Sequence, residues 1–165
     1  MRFDADMTAC AALVEKADPD RFAAVMAGPL AARLVLFPIY AFNVEVARAP
    51  WVTQEPMIAE MRLQWWREAL EEIAEGRTVR RHEVVTPLAK VLTPHTAQLL
   101  DRAVAARRWD IYKEPFEDAA HFERYLEETA GSLMWAAVQA LGASGAARES
   151  VMALSRACGL ARFLQ

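Results

Sequence analysis

The chain has 165 residues and a formal net charge of −3, with acidic and basic side chains interleaved rather than gathered into runs. That length suits one domain with a sizeable core, and the charge pattern excludes the basic stripe that nucleic-acid binding needs. Cys10 and Cys158 stand far apart without metal-ligand neighbours, which excludes a disulfide framework and points to reduced thiols in the cytoplasm.

Tryptophan, methionine and alanine are plentiful and glycine is scarce, so packed helices are favoured over a sheet. The opening Met1-Arg-Phe-Asp-Ala-Asp6 is too acidic and too briefly apolar for a signal peptide. Met7 to Lys16 is expected to form a short helix. Asp18-Pro19-Asp20 then supplies a cap, a proline suited to the first turn and an acid that complements the helix dipole. A second helix therefore starts near Pro19 and ends at Gly28-Pro29. The third carries Arg33 and Tyr40 to about Ala49, and Pro38 inside it removes one backbone bond, predicting a bend within one turn. Phe22 to Phe42 is the one apolar stretch of membrane length. Gly28-Pro29 interrupts it, and Arg33 near its middle would cost roughly 3 kcal/mol to insert into lipid. A buried helix, or one that touches a membrane surface, is expected instead.

After a break at Ala49-Pro50-Trp51, Thr53-Gln-Glu55-Pro56 is another helix start. Ile58, Met61, Trp65, Ala69 and Ile73 recur every three or four residues and predict the buried face, with Glu68, Glu71, Glu72 and Glu75 outward and Gly76 as the terminal cap. A polar connection from Arg77 to Glu83 leads to a short helix between Thr86-Pro87 and Thr93-Pro94. Thr96 to about Trp109 is amphipathic, with Leu99, Leu100, Val104 and Trp109 inward and Arg102, Arg107 and Arg108 at the surface. Lys113-Glu-Pro115 breaks it. From Asp118 one pattern runs through Phe122, Tyr125, Leu126, Ala130, Leu133, Met134, Ala137 and Leu141, ending at Gly142 to Gly145, and a last helix covers Ala147 to Leu164. No segment alternates as a strand would, and there is no internal repeat.

The common catalytic signatures are absent: no phosphate-cradling glycine loop, no Gly-x-Ser-x-Gly, no His-Glu-x-x-His. His82, His95 and His121 are too far apart for a local ligand set and are expected at the surface. Glu68 with Glu72, Glu71 with Glu75, and Glu123 with Glu127 have the spacing to chelate a cation, though a solvated face is the plainer reading. Two stretches stand out, Tyr40 to Ala47 and Glu60 to Leu70. Both are apolar enough for a core, yet they carry Asn43, Glu45, Arg62 and Gln64, which need partners if buried. These side chains either bond across facing helices or line a cavity. For Glu45, Arg33, Arg62 and Arg67 are the candidate partners; a buried ion pair is the plain reading and a polar anchor in a ligand cavity the functional one. Arg62 and Trp66, four apart, have the spacing for guanidinium on indole.

Asp18-Pro-Asp-Arg-Phe22, Pro29 with Arg33, Tyr40-Ala-Phe42, Asp110, Tyr125-Leu-Glu-Glu-Thr-Ala-Gly131 and Cys158-Gly-Leu-Ala161 together resemble the squalene and phytoene synthase family. The resemblance covers nearly the whole chain, which corresponds to the first half to two thirds of the family's domain. It implies an all-α protein, a single isoprenoid synthase-type helical bundle that is C-terminally incomplete, around a deep apolar cavity. It also implies the head-to-head joining of two prenyl diphosphates, in which carboxylate-held Mg²⁺ neutralises the departing diphosphate. In the family an Asp-x-x-x-Asp cluster follows Tyr-Ala-Phe; the corresponding places here are Ala47, Arg48 and Trp51. The second aspartate motif is expected beyond Gln165. Phe42-Asn-Val-Glu-Val-Ala47 with Met61-Arg-Leu-Gln-Trp-Trp66 is similar to the branch that includes the mitochondrial complex I assembly factor, which keeps the fold without the aspartates.

The resemblance thus implies a protein without competent diphosphate ionisation and without a cofactor, acting in prenyl or lipid binding or in respiratory-complex assembly. An active prenyltransferase using Mg²⁺, with Glu45 and Asp110 as its carboxylates, is the alternative. A helical interaction module with Trp65 and Trp66 filling its own cavity is a third. Arg33, Tyr40, Phe42, Asn43, Glu45, Arg62, Gln64, Trp65, Trp66, Asp110, Tyr125 and Gly131 are the expected cavity-lining or family-motif residues, with no metal ligand among them. The expected partners are a prenyl diphosphate or lipid-like ligand and a membrane surface or membrane protein, with self-association through an exposed apolar patch. The expected compartment is the cytoplasm, extending to the periphery of the inner membrane.

Overall fold

Side-chain caps set many of the helix starts in the computed structural model, which describes residues 3–164; Met1 and Arg2, the start of the acidic opening that does not suit a signal peptide, lie outside them. Asp4 accepts from the Met7 amide and opens α1, Ala5–Ala17. Asp18 accepts from the Arg21 amide and opens α2, Pro19–Ala27, with proline in its first turn as the sequence predicts. Helix α3, Leu30–Arg48, runs on through Pro38 without interruption. Helix α4, Pro56–Ala74, stops where Gly76 takes a φ of 66°, a left-handed turn that glycine adopts at no steric cost.

A one-turn α5, Val85–Leu88, leads to α6, Pro94–Ala106, whose first turn is closed by reciprocal bonds between Thr93 and Thr96. The chain then turns a corner into α7, Arg108–Tyr112, ended by Lys113 at a φ of 52°. Helix α8, Ala119–Leu126, is capped by Asp118 and passes through a π-turn, Glu127–Gly131, into α9, Ser132–Ala140. A 3₁₀ turn, Gly145–Ala147, precedes α10, Arg148–Phe163. Among the described residues there is no strand. The protein is all-α.

Helix α3 lies at the centre, touching α1, α2, α4, α5 and α9, while α4 packs on α6, and α10 covers the π-turn with α8 and α9. Phe37, Ile39 and Phe42 of α3 are fully buried with Met7, Val14, Leu70, Leu88 and Leu100. Each such side chain contributes about 1.5–3 kcal/mol by leaving water. By length and composition alone α3 is apolar enough to cross a membrane, yet Leu34, Phe37, Phe42 and Val46 are spent on the core. Both cysteines are free thiols, Cys10 buried and Cys158 exposed.

Three local expectations are corrected. The buried face of α4 is Ala59, Leu63, Trp66, Ala69, Leu70 and Ile73, whereas Ile58 and Met61 are exposed, Met61 to 66%. Helix α4 is apolar on two faces, and α6 lies along the one that carries Leu63, Arg67 and Leu70, where Arg67 reaches Asp101. The helix expected to reach Trp109 ends at Ala106, and at the corner Arg107 turns inward instead of facing solvent. The single helix expected from Asp118 contains the π-turn, against which α10 packs closely. A Cβ on Gly131 would lie 2.7 Å from Met152 Cε, and one on Gly159 2.9 Å from Ala130 Cβ.

Candidate functional site

Asp18 does more than cap α2. Its carboxylate, on a residue only 5% exposed, takes Arg21 Nη1 at 3.1 Å on one oxygen and Arg162 Nη2 of α10 at 2.7 Å on the other. Arg21 in turn lies over the Tyr40 ring of α3, 5.1 Å from its centroid. Arg107, at the corner between α6 and α7, donates from Nη1 to Asp110 Oδ2 at 3.0 Å and to the Tyr125 hydroxyl at 3.2 Å. Tyr125 donates to the other Asp110 oxygen at 2.5 Å, a short bond to a buried carboxylate. Thr129, in the π-turn, donates back to the Tyr125 carbonyl at 2.6 Å.

These groups enclose a cavity of about 190 Å³ walled by Arg21, Arg107 and Arg162 with Asn43, Ala47, Tyr125 and Thr129. Burial, and then the neighbouring Arg162 cation, push Arg21 below the ordinary guanidinium value, while Asp18 opposes the shift. Burial also raises the Tyr40 and Tyr125 hydroxyls above the usual tyrosine range. The arrangement concentrates positive charge and N–H donors on one small space.

A second hollow, of about 440 Å³, lies between α3 and α4, lined by Glu45, Ile58, Met61, Arg62, Trp65, Trp66 and His82. Trp66 is buried edge-on against Phe42 and Trp65, and His82 packs on both indoles. Of the three histidines expected at the surface only His95 is exposed; His82 and His121 are half-buried, His82 with Nδ1 accepting from the Val84 amide. Asn43 and Glu45 thus face different hollows. Two residues apart on one helix, they point to opposite sides, so the two polar-bearing stretches do not share a single cavity.

The expected partners of Glu45 are also corrected. It pairs with Arg48 on its own helix at 2.6 Å, not with Arg33, Arg62 or Arg67. Arg33 is spent on the end of α2, donating to the Gly28 and Met26 carbonyls, and Arg67 forks onto Asp101. Gln64 reaches Glu68 at 3.3 Å, and Arg62 is exposed. The guanidinium stacked on indole is Arg80 over Trp65, 4.8 Å from the ring, in place of Arg62 on Trp66. Phe42 is core, and Gly131 serves packing. The spaced carboxylates meet arginines: Glu68 and Glu72 meet Arg80, Glu71 and Glu75 meet Arg77, and Glu127 meets Arg156.

Among the described residues no group of three or more His, Cys, Asp or Glu comes together in a way that could hold a metal ion. The places where the family has its first carboxylate cluster do not fit Mg²⁺. Ala47 offers no oxygen, and it lines the cavity of three guanidiniums, whose charge repels a divalent cation.

The arginines escaped the sequence reading. Arg21 sits inside the Asp18–Phe22 motif, Arg107 has the helical phase of a surface residue, and Arg162 lies in the last helix with no motif to single it out. A usable signal existed: Asp18 with Arg21, and Arg107 with Asp110, have the three-residue spacing of a helical ion pair.

Comparison with known proteins finds a family model described as squalene/phytoene synthase that matches residues 14–165. A Drosophila melanogaster protein named NADH dehydrogenase (ubiquinone) complex I, assembly factor 6 homolog is 30% identical over 164 residues, covering 94% of this chain and 49% of that protein. The Homo sapiens protein named assembly factor 6 of that complex is 27% identical over 135 residues, 81% of this chain and 40% of its own length. A Dictyostelium discoideum homolog is 26% identical over 124 residues, 69% of this chain and 32% of its own. The chain spans about half or less of the length of these relatives. No solved structure matches it.

Proposed function

The chain belongs to the squalene/phytoene synthase family, and from that premise we propose that it keeps the family's helical bundle without Mg²⁺-dependent ionisation of prenyl diphosphates, serving as a lipid-binding or respiratory-complex assembly-type factor. The observation that carries this reading is the charge around Ala47. Ionising an allylic diphosphate needs carboxylate-held cations against the leaving group, and here a methyl group faces Arg21, Arg107 and Arg162. The two carboxylates of the alternative reading are engaged elsewhere, Glu45 by Arg48 and Asp110 by Arg107 and Tyr125. Curated relatives named as assembly factors of a respiratory complex support the same direction.

In this reading the protein works in the cytoplasm at the periphery of the inner membrane. The exposed Met57, Ile58 and Met61 at the start of α4 serve to dock a membrane protein or, failing that, a second copy of the chain.

Two measurements test it. Incubated with farnesyl or geranylgeranyl diphosphate and Mg²⁺, the protein is expected to release no diphosphate above background, and Mg²⁺-dependent release overturns the reading. In a host that has the complex, deleting the gene is expected to lower assembled NADH dehydrogenase complex on native gels. Unchanged complex with altered prenyl lipids would argue for the enzyme instead.

A further inference from the structure

Three guanidiniums reach one cavity from three separate elements: Arg21 from α2, Arg107 from the corner after α6, and Arg162 from α10. Two carboxylates, Asp18 and Asp110, hold them, which leaves one net positive charge in the cluster. Each arginine bonds its aspartate through one nitrogen, Nη1 of Arg21, Nη1 of Arg107 and Nη2 of Arg162. Their other nitrogens bond to no acceptor among the described residues, although a guanidinium carries five N–H donors. Arg21 and Arg107 are 21% and 23% exposed, and their free N–H groups are not sealed off, so an anion entering the cavity can reach them. Asn43 adds an amide to the same wall, Ala47 leaves space where a longer side chain would fill it, and the π-turn carries Thr129 to its edge. π-turns inside α-helices often mark ligand sites.

We propose that this cavity is a metal-independent binding site for a phosphate-type oxyanion, carried either on a lipid head group or on a soluble phosphate. The inference deepens the function proposed above and rests on its premise that no divalent cation works here. Guanidinium edges match the spacing of phosphoryl oxygens and bind them in pairs, which a hydrated cation pair is not needed to do. An anion seated among the three would also relieve the mutual repulsion of Arg21 and Arg162. The aspartates keep the guanidiniums oriented while the site is empty.

Titration calorimetry of the protein with inorganic diphosphate in EDTA should give saturable binding. Arg162→Gln, in a half-exposed side chain on α10, should weaken it roughly tenfold or more by removing one charge-assisted donor set. Arg162→Lys, which keeps the charge but not the fork, should fall between, and it serves if the glutamine variant does not fold by circular dichroism. Arg67→Gln, at the separate Asp101 pair, should bind like the parent. Flotation with phosphatidylcholine vesicles, with and without phosphatidic acid, separates the sources. Arg162-dependent flotation only with phosphatidic acid assigns the anion to a lipid, calorimetric binding without flotation assigns it to a soluble phosphate, and both sustain the proposal. No saturable heat, binding that appears only with Mg²⁺, or parent-like binding by the Arg162 variants overturns it. A failure here leaves the reading of a non-ionising protein standing, whereas Mg²⁺-dependent diphosphate release from a prenyl substrate overturns that reading and is not measured by the EDTA titration.

Discussion

Tyr125 and Asp110 share the shortest side-chain hydrogen bond in the arginine cluster, 2.5 Å, on residues that are both buried. Replacing the hydroxyl by hydrogen leaves one Asp110 oxygen without its donor, so Tyr125→Phe is expected to cost about 1–3 kcal/mol in urea unfolding at neutral pH. The pH dependence has a definite sign. Burial raises the folded Tyr125 value above its unfolded value of 10.0, so the protonated hydroxyl's contribution is complete below about pH 10 and is lost as pH rises through the folded value. The gap between parent and Tyr125→Phe should therefore stay constant from neutral pH to about pH 9 and narrow above about pH 10. A gap that stays constant above about pH 10 would refute the assignment. At this scale the caps were legible, because Asp18-Pro19 carries its own start signal. The partner of Glu45 was not: Arg48 lies three residues on at helical ion-pair spacing, but sequence alone does not rank it above Arg33, Arg62 or Arg67, which a fold could bring to the same carboxylate.

Helix α4 illustrates why a helix is easier to find than to orient. Its apolar residues satisfy the helical period on two faces, and nothing within the segment says which one α6 will cover. The π-turn is harder still, since one displaced backbone bond leaves the apolar spacing from Tyr125 to Leu133 intact to the eye. Its consequence can be measured. Gly159 presses α10 onto Ala130, whose Cβ cannot swing aside, so Gly159→Ala is expected to lower stability by about 1–3 kcal/mol through overpacking. Gly131→Ala presses on the flexible end of Met152, with Ser155 Oγ at ordinary contact distance, and the helix-propensity gain of about 1 kcal/mol offsets that contact, leaving it near neutral. Thermal unfolding of the two variants should rank them in that order; equal losses would mean that the close packing of α10 on the π-turn is not what glycine provides.

For the molecule as a whole, the all-α architecture was legible because several weak blocks agreed over nearly the full chain, and the family match covers residues 14–165. Trp51, Val52, Met57, Ile58 and Met61 are exposed in the connection to α4 and its first turns, a surface for the expected self-association to use. Two open hollows flank it, sharing Met61 and Trp65. Glutamates at Met57 and Met61 together should abolish any concentration-dependent association in sedimentation velocity while leaving the unfolding midpoint within a few degrees, because neither side chain supports the core. Association that persists in this variant would move the adhesive surface elsewhere. What the sequence could not disclose was the convergence of Arg21, Arg107 and Arg162, which depends on where α2, α6 and α10 meet in space.

The Asp18–Arg162 bond joins groups 144 positions apart. Closing so long a loop costs chain entropy that grows with the logarithm of its length, so the contact waits until the intervening helices have fixed both ends. Refolding should accordingly finish at α10, whose amides would be the last to gain protection against deuterium exchange and the first to give it up. The strap that completes the cluster is thus also the part of the molecule most readily shed.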